Sequence, residues 1–90
     1  MDYLLSKGWA VENNRLLKNF VFDNHKEVIL FFNTVSFLAE KYNHHPDIFI
    51  TYKKCVITLY THSQGKITEK DVELAVMIEK ILDFSNSPLN

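Results

Sequence analysis

The sequence predicts an α+β domain in which a four-stranded antiparallel sheet carries helices on one face. Three observations lead there. Four short runs rich in β-branched and aromatic residues come in two pairs, and each pair is joined by a link too short for anything but a hairpin. Two longer segments repeat apolar residues at helical spacing. The resulting order is strand, strand, helix, strand, strand, helix, and hairpin-linked strands are antiparallel, whereas parallel neighbours need long crossovers. The chain has 90 residues with only 2 Gly and 2 Pro, so linkers are scarce and residues 1–90 read as one domain.

Residues 1–7 carry no decisive signal for helix or coil. Trp9 to Glu12 and Arg15 to Phe22 make the first hairpin through Asn13-Asn14, because Asn tolerates the positive φ that a two-residue turn requires. Leu16, Phe20 and Phe22 share one face of the second strand, and Lys18 falls among them, where a charge is out of place. Asp23 or Asn24 caps the next helix, and Glu27 suits its first turn. Val28, Phe31, Phe32, Val35, Leu38, Ala39 and Tyr42 then form an apolar stripe about four turns long. Ile29, Leu30 and Phe37 lie off that stripe. The surplus fits either a wide core contact or a subunit interface; the interface is favoured, because a small domain gains by associating, and a homodimer or homotetramer is expected. Pro46 restricts its own backbone and that before it, so it is expected to end this helix.

Ile48 to Tyr52 and Cys55 to His62 make the second hairpin, turning at Lys53-Lys54. Cys55, Ile57, Leu59 and Thr61 alternate onto the core face, leaving Val56, Thr58, Tyr60 and His62 on the other. His62 is thus expected at a strand end, on the more polar face. Ser63 to Lys66 is a loop. Thr68 caps the last helix with Asp71 at its third position, as in a capping box. Leu74, Ala75, Ile78, Ile81 and Leu82 form its core stripe, and Asn86 to Asn90 is a polar tail.

Charge and composition exclude several functions. Ten Lys and Arg against 11 Asp and Glu leave a formal charge of −1, without the basic footprint of a nucleic-acid binder. A single cysteine cannot make an internal disulfide, which fits a reducing compartment. The longest apolar-rich run, Val28 to Ala39, is too short for a bilayer, which takes about 20 residues. The start of the chain has an early acid and no apolar core of a leader peptide. A cytoplasmic protein with no membrane and no nucleic-acid partner is expected.

The chemistry concentrates in Asn43-His44-His45-Pro46. Two imidazoles follow the end of a long helix, where free carbonyls and the negative end of the dipole favour a protonated ring. His62 adds a third imidazole, the side chain suited to acid–base work near neutrality. Glu40 lies one turn before His44, so the two can meet and Glu40 can orient a ring. Each feature also has a structural reading: histidine stabilises helix ends, Asp71 is a capping residue, and His25 is a surface residue. Trp9 is most simply core, although beside Gly8 it can also wall a pocket for a flat ligand. A Cys–His dyad is disfavoured, because Cys55 and His62 are separated by an odd number of strand residues and face opposite sides. A zinc site is disfavoured too, since adjacent histidines rarely converge on one ion and no His-x-x-x-His or Cys-x-x-Cys spacing occurs.

Glu40, three spacers, His44-His45-Pro46, then Tyr52, nine spacers, His62, eight spacers and Asp71 together resemble the pattern of the pterin-4a-carbinolamine dehydratase family. Gly8-Trp9 and the strand ending Thr61-His62 are similar as well, and the likeness runs from about residue 8 to residue 82. The departures are Ile48, where an aromatic is common, and a short N-terminus that leaves little room for the family's leading helix. The resemblance implies removal of water from 4a-hydroxytetrahydropterins without metal or organic cofactor, in the recycling of tetrahydrobiopterin used by aromatic amino acid hydroxylases. It implies His44 and His62 as the acid–base pair, with His45 binding and positioning the pterin. Glu40 would orient a histidine, Asp71 would support His62, and Trp9 would line the pocket. Backbone groups of Asn43 and of Tyr60, Thr61, His62 and Ser63 would contact the substrate. Some members of the family also serve as dimerisation cofactors of a transcription factor, which supplies an alternative role as an interaction module. Handling of another pterin, such as a molybdopterin-related one, is a third reading.

Overall fold

Asn13 and Asn14 both take left-handed backbone, with φ of 52° and 61°, the signature of the two-residue turn that matches strand twist. They join β1, Ala10–Glu12, to β2, Arg15–Val21. The structure is a computed structural model and describes residues 1–85. Its other elements are α1 (Asp2–Ser6), α2 (His25–Tyr42), β3 (Asp47–Ile50), β4 (Lys54–Leu59) and α3 (Glu69–Ser85). The four strands form one sheet in the order β1-β2-β4-β3, and every neighbouring pair is antiparallel. The two hairpins therefore meet along β2 and β4, the two longest strands, in the middle of the sheet. The expected tail, Asn86 to Asn90, lies outside the described residues.

One face of the sheet faces the helices. Leu16 and Phe20 from β2 with Cys55, Ile57 and Leu59 from β4 join Val28, Phe31 and Val35 of α2 and Leu74, Ala75 and Ile78 of α3 in one buried cluster. Each Val, Leu, Ile and Phe among them stabilises the fold by roughly 1.5–3 kcal/mol. A helix does precede β1, but α1 has only 5 residues, too few to persist alone. It is docked by Leu4, which is fully buried in the same cluster. Asn24, not Asp23, caps α2: its Oδ1 accepts from the Glu27 N–H at 2.9 Å, while Glu27 Oε1 accepts from the Asp23 N–H at 3.2 Å. Off the stripe, Ile29, Leu30 and Phe37 are exposed, Phe37 by 76%. Tyr42, placed on the stripe by spacing, is exposed too, as the last residue of the helix. No helix among the described residues is long and apolar enough to cross a membrane.

Lys18 sits on the core face because a carboxylate waits there. Its Nζ donates to Glu79 Oε2 at 2.6 Å, and the same oxygen accepts the Trp9 indole N–H at 2.8 Å. Glu79 is 3% exposed, so the pair satisfies a buried charge that would otherwise be costly. Trp9 is equally buried and packs edge-on against Phe20.

The second hairpin is displaced from its expected bounds. Lys54 belongs to β4, paired with Val21, and its carbonyl accepts from the Thr51 N–H at 2.9 Å, which ends β3 at Ile50. At the other end β4 stops at Leu59. The Thr61 N–H donates to Lys66 O and the Gly65 N–H returns to Thr61 O, so the chain has already turned. His62 therefore belongs to this turn and not to a strand end.

Candidate active site

Three segments build the site: the end of α2, the turn after β4 and the first turn of α3. The end of α2 is set by Asn43, whose backbone is left-handed with φ 52° and ψ 41°. The Asn43 N–H donates to Glu40 O and the His44 N–H to Ala39 O, the paired bonds of a Schellman turn. The helix thus ends before Pro46 acts on it, and Pro46 instead follows the reversed chain. The reversal separates the two histidines. His44 folds inward, its side chain 12% exposed, while His45 stays outside at 55%.

His44 meets Asp71. Its Nε2 lies 2.5 Å from Asp71 Oδ1, and Asp71 is fully buried. The other carboxylate oxygen, Oδ2, accepts from the Thr61 hydroxyl at 2.6 Å and from the Thr68 N–H at 2.9 Å. The last contact is half of the expected capping box. The other half is absent: the Asp71 N–H donates to the Thr68 carbonyl, and the Thr68 hydroxyl lies 2.7 Å from that of Thr61. One buried carboxylate thus ties the end of α2, the turn after β4 and the start of α3 together. Asp71 holds His44, whereas the family resemblance implied that it supports His62. Glu40, expected to meet His44, instead lies 3.3 Å from His45 Nε2, because the left-handed turn swings His44 away from the helix face that carries Glu40.

His62 is one residue beyond Thr61 and is exposed. Its ring stands edge-on to Tyr60, with centroids 5.0 Å apart and planes at 84°. Tyr60 in turn lies under the Arg15 guanidinium, 4.2 Å from the ring centroid. The turn itself depends on Gly65, whose φ of 66° is the left-handed conformation that glycine adopts without strain. Ser63 is exposed in the same turn, and Trp9 belongs to the core beside Glu79. Of two clefts of about 650 and 640 Å³, neither is lined by a histidine, and the second borders Thr68. Among the described residues no group of three or more His, Cys, Asp or Glu side chains is placed to hold a metal ion. Burial pushes the Cys55 thiol up to about 11, which keeps it protonated and unreactive. Sequence reasoning missed Thr68 and Arg15 as parts of the site. The only signal for Thr68 was its place at the cap, three residues from Asp71.

A model of the family described as pterin 4 alpha carbinolamine dehydratase matches residues 1–81. The chain belongs to this family. A relative from Sulfurisphaera tokodaii is 45% identical over 76 residues, 84% of this chain and 82% of its own length. One from Dechloromonas aromatica is 36% identical over 77 residues, 86% of this chain and 69% of its own. Both carry the provisional name pterin-4-alpha-carbinolamine dehydratase. The crystal structure of a transcriptional coactivator/pterin dehydratase from Brucella melitensis matches with a TM-score of 0.82 at 29% identity, over 90% of each chain. A pterin dehydratase-like RuBisCO assembly factor of the alpha-carboxysome matches at 0.67 with 20% identity, over 80% of this chain and 83% of its own, and shares the fold alone. This member of the pterin-4a-carbinolamine dehydratase family carries His44 and His45 after α2, His62 after β4 and Asp71 in the first turn of α3.

Proposed function

We propose that this protein removes water from a 4a-hydroxytetrahydropterin to give the quinonoid dihydropterin, with His44 and His62 as its acid and base. The reaction breaks the C4a–O bond while an acid protonates the departing hydroxyl. N5 gives its proton to a base, and its electrons complete the new C4a–N5 double bond. Water and the dihydropterin are the products, and the two imidazoles exchange protons with solvent to reset. The observation that supports this most is His44 held against the fully buried Asp71, which also receives Thr61, the neighbour of His62. His45 and its partner Glu40 bind and position the pterin, with backbone groups of Asn43 and of Tyr60 to Ser63 as further contacts. The reaction returns the pterin used by aromatic amino acid hydroxylases to its redox cycle, needs no metal or cofactor, and suits the cytoplasm. The exposed Ile29, Leu30 and Phe37 of α2 make the interface of a homodimer or homotetramer.

The same surface favours a second reading, as a protein-interaction module, since the Brucella melitensis relative is described as a coactivator as well as a dehydratase. Phe37→Glu separates the two readings: it should abolish association and leave dehydration measurable. The activity itself is tested by adding the purified protein to 4a-hydroxytetrahydropterin, with and without a chelator, and following quinonoid dihydropterin by absorbance. Acceleration above the spontaneous rate in both samples is expected. No acceleration by folded protein contradicts the proposal, and loss on chelation that added zinc restores contradicts its metal-free form. A related pterin accepted in place of this substrate would point to the third reading.

A further inference from the structure

We infer that Thr61 and Thr68, acting through Asp71, make Nδ1 the nitrogen of His44 that exchanges the reaction's proton. The inference rests on the acid–base role proposed for His44 and adds two positioning residues to it. As a carboxylate, Asp71 only accepts hydrogen bonds. Its Oδ2 takes two, from the Thr61 hydroxyl and the Thr68 N–H. The Thr61 hydroxyl has one proton and gives it to Asp71, so in the 2.7 Å contact between the two hydroxyls Thr68 is the donor. Both hydroxyl rotors are then fixed, and the carboxylate cannot swing without breaking two bonds. Oδ1 is left for His44 Nε2 at 2.5 Å, which must carry a hydrogen to donate. Neutral His44 is therefore the Nε2–H tautomer with its lone pair on Nδ1, and protonated His44 has its transferable proton there. Nδ1 has no partner among the described residues. No buried side-chain nitrogen or oxygen there lacks one, so Nδ1 is the open nitrogen.

A network that merely capped α3 would look similar, but it makes no demand on the tautomer. The difference shows in Asp71→Asn. Thr61 O–H and Thr68 N–H both need an acceptor where Oδ2 was, so the amide carbonyl takes that side and the amide N–H faces His44. An N–H there requires a bare Nε2, and the neutral ring must move its hydrogen to Nδ1. The experiment is ¹⁵N NMR of histidine-labelled protein above the imidazole titration, with steady-state kinetics alongside. The wild type should show Nε2–H at His44 and Asp71→Asn should show Nδ1–H, with kcat lower by about 10⁴, as when a comparable imidazole is turned to its wrong tautomer. Thr61→Val should lower kcat by about tenfold at unchanged KM, and Thr61→Ser should restore it. Nδ1–H in the wild type, Nε2–H retained in Asp71→Asn, or a Thr61→Ser variant as poor as Thr61→Val would overturn the assignment. The wild-type spectrum decides even if a variant fails to fold. It also needs no turnover, so the expected tautomer in a protein without dehydratase activity defeats the proposed reaction and leaves standing only the tautomer that Asp71 imposes.

Discussion

The two imidazoles proposed as acid and base stand in opposite surroundings. His44 is 12% exposed and bonded to a fully buried carboxylate that two further groups hold in place. His62 is exposed, and its ring packs edge-on against Tyr60, itself beneath Arg15. The first ring has its orientation settled before any ligand arrives, so no ordering cost falls on binding. The second keeps rotational freedom and access to water, which suits a group that must meet a substrate and then exchange its proton with solvent. The candidate site is thus held firmly on one side only. The rigid side is made by a helix cap, and the adaptable side by a glycine-dependent turn.

Removing the carboxylate should bring out that contrast most strongly. Asp71→Ala leaves the Thr61 hydroxyl, the Thr68 N–H and the His44 N–H without their acceptor and should cost about 2–4 kcal/mol of stability. His62→Ala should cost under about 0.5 kcal/mol. Urea unfolding measures both, and equal losses would break the comparison. Next comes Tyr60→Leu, which removes the ring that supports His62 and should lower kcat by up to about tenfold, the scale of one aromatic contact. Tyr60→Phe should stay near wild type in the same assay, because the ring and not its hydroxyl makes the contact. Glu40→Gln touches an exposed pair with His45 and should change KM by no more than about threefold.

A separate effect, confined to alkaline pH, belongs to a buried group whose pKa is moved by burial. Burial raises the Cys55 pKa from 9.0 to about 11. Between those values the unfolded chain releases its proton and the folded one does not. The contribution to stability is therefore full below pH 9.0 and fades as pH rises towards about 11. Comparing the pH dependence of unfolding in wild type and Cys55→Ala isolates it, and a thiol reagent at pH 8 should react only as fast as the protein opens.

Most of the fold is written locally. The stripe from Val28 to Ala39, the alternation from Cys55 to Thr61 and the Asn13-Asn14 turn each bury or bend as their spacing demands. What was not legible depends on residues far apart in the chain. Lys18 looked misplaced because its partner Glu79 lies 61 positions away. Asp71, nine residues after His62, was tied to it only by what the family resemblance implied. Only the Schellman turn at Asn43, a left-handed residue that no periodicity announces, brings His44 to it instead. The same turn hands Glu40 to His45. The arrangement of Arg15 over Tyr60 follows from the pairing of β2 with β4, a register that sequence alternation alone does not specify.

Whether a fixed imidazole and a free one share the proton transfers is decided by steady-state dehydration of 4a-hydroxytetrahydropterin by His44→Ala, His62→Ala and the double variant. Each single variant should lose about 10²–10⁴-fold, mainly in kcat, while His45→Ala acts on KM. The double variant should fall to the spontaneous rate and not show the product of the two losses. If His44→Ala and His62→Ala both stay folded and keep the wild-type kcat, the acid–base pair is wrong, and the histidines serve structure or a binding surface.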